Sequence, residues 1–158
     1  ATGTAWAELG AAFLVQAARE GYDTKRGEVL LDRSIEAHRN ALLIEPGDSY
    51  VWTRLARTLL TRDGATPGLA PYLRMAIRTA PREPKLVLAR LDIAFVSWHM
   101  LDNTTRALFD EQIAIAVRFY AKRLARLTKE RYALTIVSRA LLDEPGRLRR
   151  FDAYYRQI

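Results

Sequence analysis

The chain has 158 residues, 49% of them apolar, with 25 basic against 18 acidic side chains and a net charge of +7. That length and apolar content are enough for a continuous core, and the interspersed charge argues against disorder. The absence of cysteine excludes disulfides, thiolate nucleophiles and zinc-thiolate sites. No apolar run approaches the roughly 20 residues that span a bilayer, and no secretory signal precedes the first helical pattern.

Of the basic residues 21 are arginine and four lysine, a ratio that high-GC bacterial coding produces. A bias spread evenly through the composition is not a binding patch. Charge alone therefore does not make nucleic acid the expected partner.

The elements read in chain order are helical, with no sustained period-two alternation and no hairpin signal. Trp6, Leu9, Gly10 and Phe13 set large, large, small and large residues on one helical face. "REGYDTKRGEVLLDRS" then reads as an inserted segment at about 19–33, either a long inter-helix loop or extra helical turn. "ALLIEP" at 41–46 ends a helix, because proline forbids continuation. Gly47, Asp48 and Ser49 make the turn, and Asp48 or Ser49 caps the next helix. Trp52, Leu55, Ala56 and Leu59 repeat the first facial pattern, and Asp63-Gly64 stops it. In "TPGLAPYLRMAI" the two prolines conflict, and a late helix start near Pro71 is expected.

"AIRTAP" at 76–81 and "ALLDEP" at 140–145 repeat the alanine-to-proline ending of 41–46. From 85 onward Leu88, Leu91, Asp92 and Phe95 echo the facial pattern with aspartate at the small position. The stretch 103–128 reads as one long helix beginning near Thr104, and "GRLRRFDAYYRQI" as a capping helix.

W-x-x-L-small-x-x-large followed by A-x-x-x-x-P resembles the tetratricopeptide repeat family, whose unit is two antiparallel helices in about 34 residues. The resemblance implies an all-α fold of antiparallel helical hairpins stacked as a short right-handed solenoid. It predicts six to seven helices with a C-terminal capping helix in one domain, 1–158. Repeat 1 spans about 3–46, repeat 2 about 49–81, and degenerate repeats with the cap about 85–158. Its Trp-to-Pro distance of 40 makes repeat 1 roughly 12 residues longer than the family pattern.

The same resemblance implies a concave groove lined by first helices. Its positions fall on Ala7, Ala11 and Leu14, on Tyr50, Thr53, Arg57 and Thr61, and on Leu86, Ala89, Ile93 and Ser97. Arg54 and Arg90 lie beside them. The family's carboxylate clamp needs lysine and asparagine where Ala7 and Ala11 stand, so recognition of chaperone tails is disfavoured. The expectation is a non-enzymatic scaffold that docks a peptide or partner helix, in a bacterial assembly or envelope complex. Localisation leans to the periplasmic soluble part of a membrane-anchored protein, with the cytoplasm as the alternative. A chain that opens on Ala1 rather than Met fits a processed product.

Catalytic chemistry has little to work with. His38 and His99 each lack a second ligand at helix spacing. Asp110 and Glu111 are adjacent and diverge on a helix, and no nucleophile elbow or phosphate loop is present. No catalytic residue, metal or cofactor is therefore expected. The alternative reading is a nucleic-acid or anionic-surface module using Arg118, Lys122, Arg126 and Lys129, which recur at helical spacing along one face at 118–131.

Overall fold

The computed structural model describes residues 1–158 and is all-helical, with no strands. Its α-helices are α1 (Gly3–Glu20), α2 (Lys25–Ile44), α3 (Ser49–Asp63), α4 (Ala70–Thr79), α5 (Pro84–Ser97), α6 (Asn103–Ala107), α7 (Phe109–Glu130), α8 (Leu134–Ala140) and α9 (Pro145–Tyr155). They divide into two compact units, Ala1–Thr79 and Ala80–Ile158.

In the first unit the starts of α1, α2 and α3 are written in the local sequence. The side chains of Thr2, Thr24 and Asp48 accept from the backbone N–H groups of Ala5, Gly27 and Val51, satisfying donors that a helix leaves open. α1 and α2 run antiparallel along their whole length: Gly3 lies against Glu45, Gly10 against His38, and Gly27 against Gly21. A Cβ on Gly27 would sit 1.8 Å from the Gly21 carbonyl oxygen, so the turn joining the two helices requires glycine there. The excess length of this hairpin is therefore not a long loop. Residues 21–24 connect two helices of 18 and 20 residues, and the additional sequence became additional helical turns.

α3 and α4 form a second antiparallel pair, tied by Ser49 Oγ donating to the Ala76 carbonyl at 2.7 Å and by the Trp52 and Tyr72 rings at 6.2 Å. The residues between them resolve the proline conflict: Pro67–Leu69 is a 3₁₀ turn that runs directly into α4 at Ala70. Ile35, Ala41 and Leu42 of α2 pack with Val51, Leu55 and Leu59 of α3, and Trp6, Ala7 and Trp52 cover that cluster. Burying several such side chains, each worth about 1.5–3 kcal/mol, holds the two pairs together.

The second unit is organised around α7, which packs against α5, α8 and α9. Phe109, Ile113, Leu124 and Phe151 are fully buried in it. The stretch expected as one helix is broken twice. α6 ends at Ala107, α7 starts afresh at Phe109, and Tyr120 has non-helical angles (φ −143°, ψ 39°) inside α7. In the third alanine-to-proline copy, α8 stops at Ala140 and Pro145 opens α9 as its first residue rather than closing a helix.

Candidate partner-binding clefts

In the first unit, Thr4, Ala7, Glu8 and Ala11 fall at helical spacing on one face of α1. Together with Asp48, Tyr50, Val51 and Arg54 at the start of α3 they line an open cleft of about 330 Å³. Its floor is small and apolar where Ala7 and Ala11 lie. Tyr50, 46% exposed, also lines the cleft. Arg54 spans the cleft toward α1, with Nη1 3.5 Å from the Ala7 carbonyl, and Glu8 and Asp48 supply negative charge.

Behind this cleft sits His38, fully buried, with no partner for Nε2. Burial, followed by the positive charge of Arg54, lowers its pKa to about 4, and a hydrogen bond to the Ser34 backbone opposes the shift only in part. The imidazole is neutral at neutral pH. Ser34 Oγ donates to the Gly10 carbonyl at 2.8 Å, which directs that hydroxyl into helix packing.

Of the groove positions expected from the sequence, Ala7, Ala11, Tyr50 and Arg54 are brought together here. Leu14 instead packs against Ala17, Leu30 and Leu31 between α1 and α2. Thr53 is buried and donates to the Ser49 carbonyl of its own helix, and Thr61 donates likewise to Arg57. Arg57 is half-buried one turn beyond Thr53 and outside the cleft lining.

Arg90 and Ile93 are corrected outright, because both side chains are wholly buried and offer no surface. Arg90 donates to the Ala80 carbonyl at 2.9 Å and to Gln112 Oε1 at 3.2 Å, while Gln112 Nε2 donates to the Pro81 carbonyl at 2.7 Å. Leu86 and Ser97 are buried too, and Ala89 is half-buried. Thr4, Glu8 and Asp48 were missed, although the helical spacing of Thr4, Glu8 and Ala11 was available as a signal.

The second unit has a larger cleft, about 620 Å³, whose charge is balanced: Arg82, Arg118 and Arg147 against Asp110, Glu111 and Glu144. Arg82 pairs with Glu111 at 3.2 Å, Arg147 pairs with Glu144, and burial pushes the Asp110 carboxyl above its usual range. Arg118, Lys122, Arg126 and Lys129 are all exposed but do not form one stripe. The irregular backbone at Tyr120 separates Arg118, which lines this cleft, from Lys122, which lines a different concavity. Lys129 turns to the Tyr155 ring and the Ile158 carbonyl, and Arg126 stays free on the far turn of α7.

His99 lies exposed in the 3₁₀ turn that follows α5, and nowhere do three histidine, aspartate or glutamate side chains gather as a metal-holding group. No helix is long and apolar enough to cross a membrane. No family model, curated protein or solved structure matches this chain.

Proposed function

We propose that the first unit is a pair of tetratricopeptide-like helical hairpins that binds a short segment of another protein in the cleft between α1 and α3. One observation carries the reading. Ala7, Ala11 and Tyr50, assigned to the groove by the family resemblance, line a single open cleft with Arg54, although about 40 residues separate the two sets in sequence. The lining also selects the kind of guest. Small alanines admit an apolar side chain, Arg54 favours a carboxylate on the guest, and Glu8 with Asp48 favour a basic or donor group beside it. Neither a nucleophile nor a general base is required for this role, and no catalytic step is assigned.

The experiment is selection of displayed random peptides on the wild-type protein, followed by affinity measurement against Ala11→Trp and Tyr50→Ala. Ala11→Trp fills the cleft and Tyr50→Ala removes part of its lining, so selected peptides should lose at least tenfold in affinity with each variant. Undiminished binding to both would remove this cleft as the docking site.

A further inference from the structure

The net charge of the chain is not shared evenly. Residues 1–79 carry 10 basic and 9 acidic side chains, a net of +1, whereas residues 80–158 carry 15 and 9, a net of +6. Within that second unit the excess gathers where α7 is irregular. Phe119, Tyr120, Lys122 and Arg123 of α7, with Arg150 and Tyr154 of α9, line an open concavity of about 240 Å³ that no acidic residue enters. Arg150 Nε donates to the Val117 carbonyl at 3.0 Å, one turn before the irregular residue, and so fastens α9 to α7 there. Arg123 lies over the Tyr120 ring at 5.4 Å and Arg150 over the Tyr154 ring at 6.0 Å. Neither these guanidinium groups nor Lys122 forms an ion pair with a carboxylate. Phe119 is 51% exposed beside them, with Arg118 5.0 Å from its ring centroid.

We infer that this concavity binds single-stranded nucleic acid, with backbone phosphate held by Lys122, Arg123 and Arg150 and a base stacked on Phe119. Three cations lining one concavity without a counter-charge repel one another, and a phosphate relieves that repulsion. Cations alternating with aromatic rings match a strand whose phosphates and unpaired bases alternate. A duplex keeps its bases stacked inside and offers the rings no partner. The site lies wholly in the second unit, on residues that the cleft between α1 and α3 does not use.

Fluorescence anisotropy of a labelled 12-nucleotide single-stranded DNA, measured at 50 and 200 mM salt, tests it. The expected result is binding that weakens by a factor of ten or more across that salt range. It should weaken at least tenfold again in the Lys122→Gln, Arg123→Gln protein, several-fold in Phe119→Ala, and not at all in Arg33→Glu, a charge change in the first unit. Melting curves recorded alongside identify any variant that has lost its fold, and Lys122→Gln alone, an exposed change, then supplies the comparison. Three results overturn the inference: equal or tighter binding of a duplex of the same length, binding to anionic phospholipid vesicles without binding to the oligonucleotide, or equal loss in Arg33→Glu.

Discussion

Gly10 lies so close to the His38 imidazole that a Cβ on residue 10 would come within 2.8 Å of ring atoms Cδ2 and Nε2. The ring is fully buried among packed neighbours. Alanine would favour the helix by about 0.5–1 kcal/mol over glycine, but overpacking of a closed interior costs about 1–3 kcal/mol. Gly10→Ala is therefore expected to lower stability by about 1–2 kcal/mol in urea unfolding. In a His38→Ala background, where the obstructing ring is gone, the same change should become neutral or stabilising.

His38 also makes stability depend on pH. Its folded pKa of about 4 lies below the ordinary 6.5, so the unfolded chain takes up a proton before the folded one does. The contribution is fully present above about pH 6.5 and falls as pH drops toward about 4, by about 3 kcal/mol at the limit. Urea midpoints measured from pH 7.5 to 4.5 should decline, and His38→Gln should remove much of that slope.

The turn after α7 places Tyr132 at φ 54°, a left-handed conformation that side chains resist. The Ala133 N–H donates to the Thr128 carbonyl and the Tyr132 N–H to Lys129, an arrangement in which glycine usually takes the left-handed position. Tyr132 is 96% exposed and loses no buried contact on truncation. Tyr132→Gly should raise stability by about 1 kcal/mol, read as a higher melting temperature.

Trp52 follows the stop at Pro46 by six residues and ties back to it, its Nε1 donating to the Pro46 carbonyl at 2.7 Å. Half-buried against Tyr72, it joins the end of α2 to the start of α3. Trp52→Phe should cost about 1 kcal/mol or slightly more, from one hydrogen bond and a smaller ring. The peptides selected on the wild type should retain their affinity, since Trp52 does not line the cleft.

The helical fold and the Asp48 cap were legible because period and capping are local properties. Ala7, Ala11 and Tyr50, placed by the family resemblance beside the facial pattern, and the neighbouring Arg54 line one cleft. Arg90 and Ile93 escaped because burial is a tertiary fact, although α5 carries apolar residues at Leu86, Val87, Leu91, Ala94 and Phe95 and is apolar nearly all round. The irregularity at Tyr120 had no local marker. Neither proline nor glycine occurs in α7, and the observed fastening is Arg150 of another helix bonded to the Val117 carbonyl. "ALLDEP" misled because proline suits the first position of a helix as well as the residue beyond a helix end.

The most direct test of the docking account is a map of backbone amide shifts as a selected peptide is titrated into the isotope-labelled protein. The account predicts that the largest changes cluster at Thr4, Glu8, Ala11, Tyr50 and Arg54, the two walls of one cleft. Changes confined to residues 80–158, or scattered without focus on α1 and α3, would contradict it.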